Sequence, residues 1–225
     1  MAWQLKSVPL ISEDVIYVNG WEIGGDTDQP PIITSFEEVL GQHDRNGDGR
    51  LSLSEISERV LPDEDLDHDG LMNQREWDFR RARRTAQNNI VAVRHGGRGD
   101  LTETNVLWRY RKSLPNVPSP ILYQNVLYLI KDGGIATTLN PKTGEVLKQA
   151  RLPGATEQYW ASPVAADGKV YIVSAGGKVS VLRASGDWEL LVVNDLGDDC
   201  FATPAIADGR IYLRTRTKLY CFGKP

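Results

Sequence analysis

The chain has 225 residues, of which 40% are apolar and 25% are charged. These are ordinary values for a folded globular protein, so they exclude a disordered or collagen-like chain. The net charge is −4, and residues 33–88 hold 13 Asp and Glu against 8 Lys and Arg. The acidity is therefore confined to one segment, and no nucleic-acid partner is indicated.

Targeting and disulfide signals are weak in this sequence. The first residues, Met1 to Pro9, contain one lysine and no long apolar run, so they do not predict a signal peptide. No apolar run reaches the roughly 18 residues of a membrane span, so we expect no transmembrane segment. Cys200 and Cys221 are too few for a disulfide framework, and they predict either one disulfide or two buried thiols.

A sequence repeat of about 42 residues organises most of the chain. Four segments align without gaps, and in each a proline lies eight residues before a tyrosine. The prolines are Pro9, Pro120, Pro163 and Pro204, separated by 111, 43 and 41 residues. Two separations agree, and the long one equals one period plus an insertion of roughly 69 residues.

Each repeat predicts a β-hairpin followed by two further strands. Asp167-Gly168 and Asp208-Gly209 are strong signals for two-residue hairpin turns. Lys178–Arg183 is typical of a third strand, and Glu145–Lys148 of a fourth. Four strands at this period are typical of one blade of a β-propeller. The alternative, a β-sandwich with chance similarity, is disfavoured by the four aligned Pro and Tyr pairs.

The repeats resemble those of the PQQ-type repeat β-propellers, the BamB-like family. The resemblance is carried by Ser162–Tyr171, by the turn and strand of Thr143–Leu147, and by Val106–Trp108, which is similar to a blade-ending tryptophan. It implies an all-β propeller of about four four-stranded blades, which we expect to be the C-terminal part of a larger ring. The alternative is a closed four-bladed ring, in which residues near Trp3 complete the last blade beside Lys218–Phe222. The resemblance also implies a periplasmic or exported protein.

The insertion interrupts blade one between its second and third strands. The β-pattern stops after Tyr17 and resumes at Ile90–Val93, with the fourth strand within 105–111. We therefore predict that residues 1–29 form the first part of blade one. Residues 30–89 form a small α-helical EF-hand insert that binds calcium. Residues 90–225 form the remainder of blade one and three further PQQ-like blades.

The insert begins with a predicted helix start, the capping box Ser35–Glu38, and two calcium-loop motifs follow it in the sequence. Residues 44–55 and 65–76 match the EF-hand loop at every diagnostic position. These motifs fit calcium because it takes about six to eight oxygen ligands in flexible geometry. The predicted ligands of loop one are Asp44, Asn46, Asp48, the carbonyl of Arg50, Ser52 through water, and Glu55. Those of loop two are Asp65, Asp67, Asp69, the carbonyl of Leu71, Asn73 and Glu76. Leu51 and Met72, at position 8 of each loop, are expected to form the apolar contact between the loops.

The spacing of the loops favours a structural role for calcium. Residues 56–64 leave room for one short helix, so loop two lacks a full entering helix of its own. This resembles the shortened loop–helix pairs of dockerin modules more than a sensor, which opens by swinging two helices per loop. Loop two has four carboxylates against three in loop one, so we expect loop two to bind calcium more tightly.

Two weaker patterns add to these predictions. The arginines at 80, 81, 83 and 84 predict a solvated helix face, on which they balance the carboxylates, rather than a nucleic-acid site. Trp108, Trp160 and Trp188 are expected to pack between blades. The predicted function is a non-catalytic calcium-binding scaffold for an unidentified protein partner.

Two other function classes remain as alternatives, a PQQ-dependent quinoprotein oxidoreductase and a calcium sensor. The family resemblance implies that quinoprotein enzymes hold their quinone with an adjacent-cysteine disulfide and a calcium-bound catalytic carboxylate on the propeller axis. Here Cys200 and Cys221 are not adjacent, and the predicted calcium ligands lie in an insert. We therefore expect no PQQ and no catalytic residue, and two bound Ca²⁺ ions.

Overall fold

The computed structural model describes residues 4–52, 54–56 and 63–223. These residues fall into two compact units, one formed by residues 22–87 and the other by residues 4–21 and 88–223. The helices, both in the first unit, are α1 (Phe36–His43) and α2 (Gln74–Arg84). Almost all remaining regular structure is β, so the predicted β fold with a small helical part is confirmed at this level.

The strands are numbered in chain order. They are β1 (Leu10–Ser12), β2 (Val15–Gly20), β3 (Leu51–Ser52), β4 (Leu71–Met72), β5 (Asn89–Arg94), β6 (Val106–Tyr110), β7 (Ile121–Tyr123), β8 (Val126–Lys131), β9 (Ile135–Leu139), β10 (Val146–Arg151), β11 (Val164–Ala166), β12 (Lys169–Val173), β13 (Lys178–Arg183), β14 (Glu189–Asp195), β15 (Ala205–Ala207), β16 (Arg210–Arg214) and β17 (Leu219–Gly223).

The second unit contains four antiparallel sheets, one for each sequence repeat. Sheet one has the strand order β1-β2-β5-β6, so the chain leaves it after β2 and returns at β5. Sheets two and three each contain four consecutive strands, β7 to β10 and β11 to β14. Sheet four contains β15, β16 and β17 within the part of the chain that the structure describes. The third and fourth strands predicted after the insertion are confirmed as β5 and β6.

The hairpin turns have the backbone that their sequences predict. Asp167 and Gly168 both have positive φ, at 50° and 66°, and Asp208 and Gly209 at 49° and 70°. Two successive left-handed residues define the type I′ turn, whose twist matches that of the flanking strands. The turns therefore set the pairing of β11 with β12 and of β15 with β16.

Alternating side chains of the strands build the cores between neighbouring sheets. In β8, Val126, Tyr128 and Ile130 pack in a buried cluster with residues of sheet three, such as Val170 and Ile172. The intervening Leu127 and Leu129 belong to a second cluster, which they share with Tyr17 and Ile90 of sheet one. Successive side chains of a strand point to opposite faces, so a strand with apolar residues at every position is covered on both sides.

A chain of hydroxyl groups links the four repeats at the residue before each repeat proline. The amide of Val8 donates to Oγ of Ser119 at 2.9 Å. The amide of Ser119 donates to Oγ of Ser162 at 2.9 Å, and that of Ser162 to Oγ1 of Thr203 at 3.0 Å. Each repeat thus donates one hydrogen bond to the next, from the residue before its proline to the hydroxyl of the equivalent residue.

Trp108 at the end of sheet one packs on the turn of the following repeat. Its Nε1 donates to the carbonyl of Pro141 at 2.9 Å, which also accepts from the hydroxyl of Tyr17. Gly144 in this turn has φ 74°, and a Cβ there would lie 2.6 Å from the Trp108 indole. Both the backbone conformation and the indole therefore require glycine at this position.

The remaining expectations for this unit have mixed outcomes. Trp188 is buried, as predicted, but Trp160 is 44% exposed and contacts Phe201 edge-on, so the prediction for Trp160 is wrong. Both cysteines are free; Cys200 is buried and Cys221 is exposed, which contradicts the disulfide and also a second buried thiol. The alternative in which residues near Trp3 complete the last sheet lies outside the described residues.

Neither helix in the described part of the chain is long and apolar enough to cross a membrane.

Candidate metal centre

The two predicted calcium loops lie in the first unit and are joined by a two-residue antiparallel ladder. Strand β3 occupies positions 8 and 9 of loop one, and β4 occupies positions 7 and 8 of loop two. Leu51 pairs with Met72, and Ser52 with Leu71. The ladder therefore brings the centres of the two loops side by side.

Both helices of this unit begin or end at a loop. Helix α1 starts at the predicted capping box, with Ser35 as N-cap and Glu38 closing the box, and its C-cap is Asp44, the first residue of loop one. Helix α2 has Asn73 as N-cap and Glu76 closing its own capping box. The short helix predicted between the loops falls largely on residues outside the described ones.

A small apolar core lies beneath the ladder. It contains the buried residues Phe36, Leu51, Ile56, Met72 and Trp77. Leu51 and Met72 have no exposed surface, and the indole of Trp77 donates to the carbonyl of Thr34 at 2.9 Å. The apolar residues at position 8 of each loop therefore form the contact between loops that the sequence predicts.

In loop one the predicted side-chain ligands accept hydrogen bonds from the loop backbone. Asp44 accepts from the amides of Gly47 and Gly49 at 2.7 and 3.0 Å. Glu55 accepts from the amides of Arg45 and Ser52, both at 2.9 Å. The bonds from Ser52 and from Arg45 hold the pKa of Glu55 below its ordinary value, so this carboxylate stays charged.

Loop two has a similar arrangement, with backbone amides donating to its carboxylates. Asp65 accepts from the amide of Gly70 at 3.0 Å, and Asp69 from that of Leu71 at 2.8 Å. Glu76 accepts from the amides of Leu66 at 2.8 Å and Asn73 at 3.0 Å. The glycine at position 6 has positive φ in both loops, 76° at Gly49 and 79° at Gly70, which gives the sharp turn toward position 7.

Three carboxylates of loop two converge on one point. Asp65, Asp67 and Glu76 each offer an oxygen within 4.8 Å of the others. Two oxygens bound to one calcium at about 2.3–2.6 Å lie at most about 5 Å apart, so this spacing suits a single ion. The Oδ1 atom of Asp65 is buried and has no hydrogen-bond partner among the described residues. A buried carboxylate oxygen without a partner is costly, and a bound cation would remove that cost.

Loop one is less convergent than loop two. Its Asn46 donates through Nδ2 to Asp48 at 2.9 Å, so two predicted ligands bind each other. Within the described chain, the group formed by Asp65, Asp67 and Glu76 is the one cluster of acidic, His or Cys side chains close enough to share a metal ion. The geometry thus favours loop two as the stronger site.

The prediction of a solvated helix face is wrong for Arg80, which is fully buried, whereas Arg81 is 42% exposed. The expected balance between these arginines and nearby carboxylates is confirmed. Arg80 and Glu64 are both fully buried and form an ion pair at 2.5 Å. Arg84 also binds Glu64, with Nε at 2.9 Å from Oε1. Arg83 pairs with Glu22 at 3.4 Å and also contacts Asp63. Sequence reasoning missed Glu64 because no local spacing links it to an arginine 16 residues away.

A further ion pair joins the two loops directly. The guanidinium of Arg50, at position 7 of loop one, lies 2.7 Å from Oδ2 of Asp69, at position 5 of loop two. Both side chains are partly exposed, at 49% and 33%. A protein cation thus already contacts one predicted calcium ligand.

Comparisons with known proteins concern the second unit above all. The family model described as outer membrane protein assembly factor BamB matches residues 78–223. The solved structure of BamB from Moraxella catarrhalis is 18% identical, covers 60% of this chain and 40% of its own, and has a TM-score of 0.48. A europium-containing methanol dehydrogenase is 15% identical over 48% of this chain and 21% of its own, with a TM-score of 0.38. No match was found among curated proteins.

A quinohemoprotein alcohol dehydrogenase from Comamonas testosteroni is 14% identical over 45% of this chain and 17% of its own, with a TM-score of 0.38. The chain therefore spans 40% of the length of that BamB and about a fifth of the length of either dehydrogenase. The family model begins at residue 78, so the match contains neither loop.

Proposed function

The chain belongs to the BamB family of PQQ-repeat β-propeller proteins, and we propose that it is a calcium-binding, non-catalytic member whose propeller part is a scaffold for protein interaction. In this proposal the sheets of residues 4–21 and 88–223 are propeller blades. Residues 30–89 are an EF-hand insert that binds one Ca²⁺ in each loop. Calcium orders the insert, and the blades present the surface that a protein partner binds.

The calcium proposal is carried by the convergence of Asp65, Asp67 and Glu76 around the unpartnered oxygen of Asp65. All side-chain donors in both loops are oxygens, which suits a hard cation and not zinc or copper. The first loop would use Asp44, Asn46, Asp48, Ser52 and Glu55 with the carbonyl of Arg50. The second would use Asp65, Asp67, Asp69, Asn73 and Glu76 with the carbonyl of Leu71.

Bound calcium would also relieve repulsion between the loops. Seven carboxylates lie in two loops whose centres pair through β3 and β4. Like charges this close repel, and a ligand that binds only the folded form stabilises it. We therefore expect calcium to raise the melting temperature of the first unit.

A calcium titration of chelator-stripped protein tests the proposal. Two sites are expected, one lost in Glu55→Gln and the other in Glu76→Gln, because each substitution removes the carboxylate at position 12 of one loop. A matched control is Glu37→Gln, which removes a carboxylate from α1 outside the loops and should leave both sites intact. Absence of binding at calcium concentrations well above about 10⁻³ M would overturn the calcium proposal.

The measured affinity separates a structural role from sensing. Dissociation constants of about 10⁻⁴–10⁻³ M are typical of extracellular modules, and about 10⁻⁷–10⁻⁵ M of sensors. The buried core of Phe36, Leu51, Ile56, Met72 and Trp77 supports the structural role, because a sensor exposes such residues on binding. Calcium-dependent binding of an apolar dye by the protein would instead favour the sensor.

The non-catalytic proposal rests on the cysteines and on the position of the carboxylates. The chain has two cysteines, and they are 21 positions apart rather than adjacent. The convergent carboxylates all belong to loop two. Incubation with PQQ and calcium should therefore give no dye-linked alcohol oxidation, and quinone-dependent dye reduction would favour the oxidoreductase alternative.

The compartment and partner follow from family membership alone. The family description names outer membrane protein assembly, which favours a periplasmic or exported location and a protein partner. Fractionation of the source cells, with protease added to intact and to opened cells, tests the location. Crosslinking in those cells, followed by mass spectrometry of the captured chains, tests the partner.

A further inference from the structure

Beneath loop two lies a buried charge cluster that the proposed calcium chemistry does not use. The carboxylate of Glu64 has no exposed surface and accepts from Nη1 of Arg80 at 2.5 Å and from Nε of Arg84 at 2.9 Å. Arg80 is itself fully buried and lies over the Trp77 ring, 5.4 Å from its centroid. We call Glu64, Arg80 and Arg84 the clamp.

The clamp joins the two ends of loop two. Glu64 directly precedes Asp65, at position 1 of the loop, and Arg80 lies one helical turn after Glu76, at position 12. The bond between Glu64 and Arg80 therefore fixes the start of the loop to the helix that carries its last ligand. In an EF-hand with a full entering helix, that helix would hold position 1, but here only residues 56–64 lie between the two loops.

Burying an ion pair rarely adds stability in itself, because both charges lose their hydration. Its value is geometric, since charge-assisted bonds from two arginines allow few positions for the carboxylate of Glu64. Asp65 is the next residue, and its Oδ1 is already buried and unpartnered at the point where the carboxylates converge.

We propose that Arg80 and Arg84 are positioning residues for the loop-two metal site, which hold Asp65 in place through Glu64. This inference rests on the proposed calcium function. The positioning role and simple electrostatics predict opposite changes in calcium affinity when an arginine is removed. Removing an arginine near a cation site should strengthen calcium binding by charge alone, whereas removing a clamp arginine should weaken it.

The test uses the full chain with Glu55→Gln, so that only loop two binds. Arg80→Met, Arg84→Met and the control Arg75→Met are added one at a time, and calcium affinity is measured by calorimetry. Arg75 is an exposed arginine of the same helix, at position 11 of loop two, and it forms no ion pair within the described chain. Arg75→Met therefore removes the same charge without touching Glu64.

Arg80→Met is expected to weaken calcium binding about 10–100-fold, the effect typical of groups that orient a metal ligand. Arg84→Met should weaken calcium binding less, about threefold to tenfold, because Arg80 still binds Glu64. Arg75→Met should bind as tightly as its parent or more tightly. The luminescence lifetime of Tb³⁺ bound in loop two should shorten in both clamp variants, as water replaces Asp65.

The outcomes are decisive even if Arg80→Met fails to fold because the buried Glu64 has lost its bond to Arg80. Arg84→Met keeps the buried pair, so its affinity relative to Arg75→Met decides the question. Equal or tighter binding by folded Arg84→Met, with an unchanged Tb³⁺ lifetime, would overturn the clamp and leave the calcium function standing. Absence of calcium binding by the Glu55→Gln parent would overturn the loop-two site and the clamp together.

Discussion

Leu51 and Met72 face each other in the antiparallel ladder between the two loops, and neither side chain has any exposed surface. Each occupies position 8 of its loop, beside the carbonyl at position 7 that is predicted to bind calcium. The ordering of one loop is therefore linked to the other through a buried apolar contact. Because the backbone of both loops takes part in the ladder, displacement of either residue should disturb both sites.

Truncation of Leu51 should destabilise the first unit strongly. Leu51→Ala leaves a cavity in a small core, and such changes cost about 2–5 kcal/mol of unfolding free energy. The measurement is chemical denaturation of the calcium-saturated full chain, with hydrogen exchange at the amides of residues 51 and 72 to locate the loss. Leu66→Ala is the control, since Leu66 lies in loop two but is 42% exposed. Equal losses for Leu51→Ala and Leu66→Ala would contradict the role of the ladder.

Arg50 should oppose calcium binding in loop two. Its guanidinium lies 2.7 Å from Asp69, a predicted ligand, so Arg50→Gln removes a competing cation. Partly exposed ion pairs contribute about 0.2–1 kcal/mol, which corresponds to an affinity gain of up to about fivefold. Calorimetry in the Glu55→Gln background measures this gain, which should shrink in high salt because salt screens exposed charges.

Arg45→Gln is the matched control for Arg50→Gln. Arg45 is also an exposed arginine of loop one, and it forms no ion pair in the described part of the chain. It should therefore change loop-two affinity less than Arg50→Gln does. A gain that is the same for both variants would mean that net charge, not contact with Asp69, governs the effect.

The hydroxyl chain between repeats predicts a specific pattern of stability changes in the second unit. Ser162→Ala leaves the amide of Ser119 without its acceptor, which should cost about 1–3 kcal/mol of unfolding free energy. Ser162→Thr should cost much less, because Thr203 accepts the equivalent bond in the next repeat. Urea denaturation of the full chain compares the two variants. Equal destabilisation of the two variants would contradict a specific contribution of the Ser162 hydroxyl bond.

Local patterns predicted much of this molecule because the structures they specify are local. The turns at Asp167-Gly168 and Asp208-Gly209 adopt the predicted left-handed pair. The capping box at Ser35 forms, and the apolar residues at position 8 of the two loops meet. Each of these depends on residues a few positions apart, or on a motif whose internal geometry is fixed.

Features that depend on distant pairing were beyond sequence reasoning. In the sequence, the arginines of α2 have the pattern of an exposed charged face. In the structure, Glu64, 16 residues before Arg80, contacts Arg80, and both side chains are buried. Trp160, just before the third repeat, is predicted to pack between blades, yet it is 44% exposed beside Phe201. Burial of a charge or exposure of an aromatic ring is decided by tertiary neighbours, which periodicity does not reveal.

Acid should weaken the contact between the loop that joins sheets three and four and the turn between β16 and β17, because Asp198 is a charged acceptor there. The hydroxyl of Thr215 beside the carboxylate, together with bonds from the hydroxyl and amide of Thr217, lowers the pKa of Asp198 to about 2. The ordinary pKa of aspartate is about 3.9, so the folded form is favoured fully above that value. This stabilisation declines as the pH falls from about 4 toward 2, since the unfolded chain takes up the proton first.

Asp198→Asn should therefore lower stability at neutral pH and flatten the fall in stability between about pH 4 and 2. Denaturant midpoints of the full chain at half-unit pH intervals measure this. Chelator is present throughout, so that unloading of the loops does not contribute to the slope. Asp208→Asn, an exposed turn residue of sheet four, is the control and should keep the wild-type profile. If both variants follow the wild-type slope, the bonds from Thr215 and Thr217 do not stabilise the charged form of Asp198.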